Sequence, residues 1–162
     1  MSNDNPGLKF RFLESSLEKL SSLQADPKTF LSGSPMGIIL RNFGGEAKIL
    51  GKTKFVAFGE ENVEIKTGIK LVIPEGYCVK AVETSEILST SLMLRPIVYD
   101  SSFTDEVTIS FFNIGEREVL VPEMAILPVV LIAQPICKNP EVISDLEYLE
   151  AVPKIISEDS ID

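Results

Sequence analysis

The stretch "TGIKLVIPEGY", Thr67 to Tyr77, decides how the chain is read. Apolar Ile65, Ile69, Leu71 and Ile73 alternate with Lys66, Gly68 and Lys70, and Pro74-Glu75-Gly76 then stops the run. A period of two means a strand with one dry face, and Pro followed two residues later by Gly means a tight turn. Outward from this segment, the signals between Gly37 and Pro140 are nearly all of the same kind. Short runs such as "MGIILRNF", "AKILGKTKFVAF", "YCVKAVETSEIL", "SLMLRPIVY", "EVTISFFNIG" and "REVLVPEMAILPVVLIAQPI" are separated by Gly, Pro, Asn and acidic turns. Repeated short strands at this spacing predict a sandwich or barrel. Val107, Ile109 and Phe111 alternate with Thr108, Ser110 and Phe112, and Asn113 to Glu116 reads as a hairpin turn, as does the Gly44-Gly45 pair in "RNFGGEAK".

One helix precedes the strands. "LESSLEKLSSL" places Leu13, Leu17, Leu20 and Leu23 on one face, with Glu14, Ser15, Glu18 and Ser21 turned away. Pro27 ends it, because the residue before a proline disfavours the helical region. Three parts follow: residues 1–30, a polar segment and short amphipathic helix; 31–140, a β domain; and 141–162, an extension closing in the acidic tail "ISEDSID", read as disordered.

The 162-residue chain carries a net charge of −9 and contains no His. The charge argues against nucleic acid or an anionic membrane as partner, since phosphate recognition needs concentrated Lys and Arg. The absence of His removes Ser-His-Asp and Cys-His catalysis, His-based zinc sites and His pH switching. Cys78 and Cys137 lack any C-x-x-C companion and read as two reduced thiols. No apolar leader opens the chain, and the run from Ala125 to Ala133 is too short to span a bilayer. The expectation is a soluble protein of the cytoplasm or nucleus, or a component of a viral particle, and not a secreted one.

Order and spacing then become informative. "TGIKLVIPEGY" followed by "PIVYDSSFTDEVTISFFNIGEREVLVPEMAILPVVLIAQP" resembles the trimeric dUTPase and dCTP deaminase superfamily over about Gly37 to Pro135. The resemblance implies an all-β, distorted jelly-roll subunit and a homotrimer, with the chain's apolar surplus facing the subunit contact. It also implies a reaction, water attack on the α-phosphorus of a dNTP. That reaction needs a carboxylate to orient the water, Mg²⁺ to spread the triphosphate charge, and Arg, Ser and amides to hold phosphates. On the family pattern Asp100 falls where the water-orienting carboxylate sits. Phe103 falls where an aromatic ring packs on deoxyribose, and Ser85 offers a phosphate hydroxyl. Without the family frame, Asp100 beside Ser101-Ser102 is ordinary turn chemistry, its carboxylate capping backbone amides.

Other positions depart from the pattern. Ile39 stands where the early motif has Asp, and Glu83 stands where the P-R-S turn has Arg, a reversed charge aimed at phosphate. Two unit charges about 4 Å apart interact by roughly 4 kcal/mol at an effective dielectric near 20, and exchanging attraction for repulsion counts that twice. Thr104-Asp105 replaces an Arg-Gly pair, Pro128 replaces a supporting Gln, and Ser110 takes the place of the deaminase's catalytic Glu. Nothing in "DLEYLEAVPKIISEDSID" resembles the family's Gly-rich lid.

These departures predict a dUTPase-fold trimer without hydrolysis, serving as a binding, regulatory or structural protein with another protein as partner. No metal or cofactor is then required. An active, divergent, Mg²⁺-dependent dUTP diphosphatase is the alternative, and it would need Lys80, Arg95 or Arg117 as phosphate cations. A jelly-roll structural or virion subunit without nucleotide binding is the third reading.

Overall fold

The computed structural model describes residues 8–31, 37–51, 63–137 and 140–153. Two four-stranded antiparallel sheets face each other across one core. The first orders β1 (Lys9–Phe12), β4 (Val63–Val72), β8 (Glu106–Asn113) and β6 (Leu92–Leu94). The second orders β2 (Ile38–Arg41), β10 (Ile126–Pro135), β5 (Tyr77–Glu83) and β7 (Val98–Tyr99), and β3 (Ala47–Ile49) pairs with β9 (Val119–Val121). The all-β expectation holds, with two short helices added, α1 (Glu14–Ser22) and α2 (Asp145–Ala151).

The alternations read from the sequence are the core-facing residues. Ile65, Ile69, Leu71 and Ile73 are buried, as are Val107, Ile109 and Phe111 across β8. They meet Val79, Leu127, Val129 and Leu131 from the second sheet in a single cluster. The quoted strand hides a bulge. Lys66 pairs with Thr108 and Lys70 with Glu106, so Thr67, Gly68 and Ile69 together oppose Val107 alone. Two extra residues preserve the inward-outward parity, where one would have flipped the rest of the strand to solvent. Gly68 takes φ of +72°, its N–H donates to the Glu106 carboxylate at 2.9 Å, and the Thr67 hydroxyl donates to Val107 O at 2.6 Å. After Ile73 the chain turns as expected: Tyr77 N donates to Pro74 O at 3.1 Å, with Gly76 at φ +88°. The turn delivers the chain from the first sheet to the second.

Three expectations are corrected. Gly44-Gly45 and Asn113 to Glu116 do not close hairpins, because β2 and β3 lie in different sheets, as do β8 and β9. Each is a corner organised by a buried asparagine. Asn42 binds the carbonyls of Gly45, Val121 and Pro122, and Asn113 binds those of Ile49 and Arg117. The first thirty residues join the β domain through β1, which pairs with β4 from Lys9–Val72 to Phe12–Ile69. The extension after residue 140 contains α2, started by the Ser144 hydroxyl accepting from Glu147 N at 3.2 Å.

The leucine stripe of α1 is the third correction. Only Leu20 is fully buried; Leu17 is 41% and Leu23 56% exposed. The helix is pinned at its start, where Leu13 N and the Ser16 hydroxyl both donate to Gly68 O, at 3.0 and 2.9 Å. That anchor turns Ser16 and Leu20 inward and rotates Leu17 out. Leu20→Ala is therefore expected to cost about 3 kcal/mol and Leu17→Ala less than about 0.5, compared by urea denaturation. Residues 1–7, the second half of "AKILGKTKFVAF" and the tail "ISEDSID" lie outside the described residues. No described helix is long and apolar enough to cross a membrane.

Candidate functional site

Asp100 and Phe103 share one turn at the end of β7. Phe103 N donates to Asp100 O at 3.1 Å, and Asp100 Oδ1 accepts from Ser102 N at 2.9 Å and from the Ser102 hydroxyl. These bonds from Ser102, hydroxyl first and amide second, hold the exposed Asp100 carboxyl below its ordinary range. A side chain bonding the backbone two residues on is the Asx turn, and both bonds fall on the same carboxylate oxygen, Oδ1. The Phe103 ring lies 4.2 Å from that of Tyr99, tilted by 38°, and packs on the edge of the core. Val98, Tyr99, Asp100, Ser102, Phe103, Thr104 and Asp105 line an open cleft of about 260 Å³. Among the described residues its lining contains two carboxylates and no cation.

Tyr99 is a residue the sequence reading passed over. Its hydroxyl donates to Thr108 O at 3.0 Å, and burial, together with the nearby Glu64 charge, pushes its pKa up to about 12. Because the folded chain holds this proton more tightly than the unfolded one, the associated stability is full below about pH 10. It is lost as pH rises through 12. Tyr99→Phe is expected to remove that part of the alkaline decline, read by thermal melts between pH 9 and 12.

The departures from the family pattern gather elsewhere. Ile39 on β2 pairs with Val130 on β10, while Pro128 O accepts from Thr84 N at 3.0 Å. The β2 register slips between Ile126 and Val130, around Pro128, which has no N–H to offer. Ile39, Pro128, Ile126 and Val130 thereby line a groove of about 540 Å³, closed on one side by Thr84, Glu86, Ser89 and Thr90. Ser85 opens the 3₁₀ turn Ser85–Ser89 beside it and is exposed.

Glu83 does not carry its charge into this groove, which corrects the expectation of a carboxylate aimed at phosphate. Its Oε1 accepts from Leu94 N at 3.2 Å, tying the end of β5 to β6 of the other sheet. The carboxylate that lines the groove is Glu86, fully exposed and held below its ordinary pKa first by the Thr84 hydroxyl.

Ser110 faces a third cleft, of about 300 Å³, with Glu64, Arg95 and Thr108. Of the three cations considered as phosphate ligands, Arg95 lines this cleft, and none of Lys80, Arg95 and Arg117 lines the groove or the Asp100 cleft. Among the described residues no three acidic, Cys or His side chains converge in a way that would hold a metal ion. Cys78, half buried on β5, and Cys137, exposed, are free thiols.

No protein-family model and no curated protein matches the sequence. Solved structures do. A dUTPase mutant from phage phi11 of S. aureus superposes with a TM-score of 0.60 at 16% identity, covering 86% of this chain and 96% of that one. The EIAV dUTPase gives 0.61 at 16% identity, covering 85% and 96%. A mutant dUTPase of Staphylococcus bacteriophage 80alpha gives 0.58 at 15%, covering 94% and 99%, and phage dUTPases are described with it as controlling the transfer of virulence genes. With TM-scores of 0.60 and 0.61 over most of both chains, the chain has the dUTPase-like fold.

Proposed function

We propose that this protein is a homotrimer of dUTPase-like subunits that does not hydrolyse dUTP and acts by binding another protein, in a regulatory or structural role. It works inside a cell or within a viral particle and needs no metal or cofactor. One observation carries this reading. Ile39, Pro128 and the turn after Glu83 come together in space, and the groove they form is apolar, with Glu86 as its one charged group among the described residues. A triphosphate brought there would exchange its hydration for isoleucine, proline and valine, with a carboxylate beside it and no guanidinium or ammonium in return. The Asp100 turn adds no compensation, since the charged side chains lining its cleft, Asp100 and Asp105, are both acidic. A regulatory role agrees with what is described for phage dUTPases of the same fold.

Pyrophosphate release is the direct test. With dUTP and Mg²⁺ in excess, turnover at the level of the no-protein control is expected, unchanged by Asp100→Asn, and calorimetry should detect no dUTP binding. Turnover that disappears in Asp100→Asn would overturn the proposal. Sedimentation tests the assembly separately, with a trimer expected and a stable monomer counting against it.

A further inference from the structure

The outer face of the first sheet is basic, although the chain as a whole is acidic. Alternation sets Lys9 and Arg11 of β1 outward, away from buried Phe12. On β4 the same parity sets Glu64, Lys66 and Lys70 outward, between buried Ile65, Ile69 and Leu71. Glu106 of β8 also faces outward, and Arg95 lines a cleft there with Glu64, Thr108 and Ser110. Of the chain's 15 cations and 24 carboxylates, five cations and two carboxylates lie on this face, leaving 10 against 22 elsewhere.

The bulge in β4 concentrates this charge. Lys66 and Lys70 pair with Thr108 and Glu106, two residues apart on β8. They therefore stand roughly 7 Å apart, where a regular strand would hold them at about 13 Å. Arg11 pairs with Lys70 at a Cα separation of about 5 Å, and Lys9 follows two residues along β1. Lys9, Arg11, Lys70 and Lys66 thus form a diagonal row of cations at steps of about 5 to 7 Å. Like charges directly opposite each other destabilise a ladder. The carboxylate across from Lys70, Glu106, is engaged by Gly68 N at 2.9 Å. Among the described residues the ion pair formed is Lys19 with Glu123, so the row has no carboxylate partner. Protection of an open edge accounts for charge on β1, the edge strand, but not for Lys66 and Lys70 on β4 inside the sheet.

We propose that this row docks an acidic segment of another protein, extended and carrying carboxylates at alternate residues. The inference rests on the protein-binding part of the proposed function and is independent of the loss of hydrolysis. Carboxylates on one side of an extended segment recur about every 7 Å, close to the step of the row. A compact anion would span one step and leave the other cations unpaired. Nucleic acid extends its charge well beyond four cations, into the field of the 22 carboxylates elsewhere on the chain, whereas a short segment stays within the row.

Calorimetry on the full-length protein tests this with two synthetic octapeptides, one of alternating Glu and Ser, the other of alternating Gln and Ser. The Glu peptide is expected to bind and the Gln peptide not to, with affinity falling as salt rises. Arg11→Gln with Lys70→Gln should weaken binding at least about tenfold while the melting temperature holds or rises, because a repulsive pair is removed. A lower melting temperature would mark the pair as structural. Lys66→Gln, at an exposed position, then decides, with binding at least about threefold weaker expected and unchanged binding overturning the proposal. Equal affinity for the two peptides would overturn it as well. Tighter binding of an eight-nucleotide oligothymidylate than of the Glu peptide would overturn it in favour of nucleic acid. Carbodiimide coupling, which joins lysines to carboxylates in contact, is run without peptide. Links from Lys66 or Lys70 to Glu158 or Asp159 of the protein itself would overturn the proposal in favour of the chain's own acidic end. Pyrophosphate release is measured apart from all of these, so failure of the docking and failure of the non-hydrolysing reading are told apart.

Discussion

Gly68→Ala is expected to destabilise the protein by about 3–5 kcal/mol. The new Cβ would lie 2.3 Å from the Ser16 hydroxyl and 2.7 Å from Cγ of Phe43, both inside contact distance. Ser16 cannot retreat without giving up its bond to Gly68 O, and Phe43 is 5% exposed and packed between the rings of Phe12 and Phe30. The φ of +72° adds about 1–2 kcal/mol for any residue with a Cβ. Gly76→Ala is the control. Gly76 also has positive φ, but its Cβ would meet nothing within 4 Å, so only the backbone cost of about 1–2 kcal/mol applies. Guanidinium denaturation should place the Gly68 variant well below the Gly76 variant at equal m. Equal midpoints would mean that α1 does not sit on the bulge as described.

Asn42→Ala is expected to cost about 3 kcal/mol, although it removes no apolar contact. Asn42 is 1% exposed, and its amide group is 3.1 Å from the carbonyls of Gly45, Val121 and Pro122. Its Oδ1 accepts from Gly44 N at 3.0 Å, and its backbone exchanges bonds with Met124 and Ala125. Truncation would leave several buried backbone groups without partners, each costing its full desolvation. Asn42→Asp should be worse at pH 7 than at pH 4, because the charged form would face carbonyl oxygens. Its folded pKa would be raised, so the stability of that variant is present at low pH and lost as the carboxyl ionises. Circular dichroism melts at the two pH values check this, and a variant more stable at pH 7 would contradict the network.

Much of the β framework is legible because burial on one face forces a period of two. The quoted strand, β8 and the turn at Pro74 to Gly76 are all where the residues put them. Turn residues are less informative about destination. Gly44-Gly45 and Asn113 to Gly115 state that the backbone bends, and only the partners of β3 and β9 show that each bend leads to another sheet. The stripe of α1 misled because leucines at helical spacing offer two overlapping faces, and the carbonyl of Gly68 chose the one through Ser16. The signal for α2 was present as Ser144-x-x-Glu147, a capping box, in a segment that also carries Leu146, Tyr148 and Leu149.

The candidate site divides in the same way. That Asp100 and Phe103 would stand together follows from a separation of three residues in a turn, a local fact. That Ile39 and Pro128 meet the turn after Glu83 depends on β2 and β5 flanking β10, which is non-local. The sequence alone determined which residue types exist to do chemistry: no imidazole, few cations, an acidic excess. The tertiary structure decided where they act, turning Glu83 onto a backbone amide of the facing sheet and leaving an apolar groove in its place. The physical reason is that alternation is a property of one strand, whereas a site is made by strands whose pairing is chosen by the core as a whole.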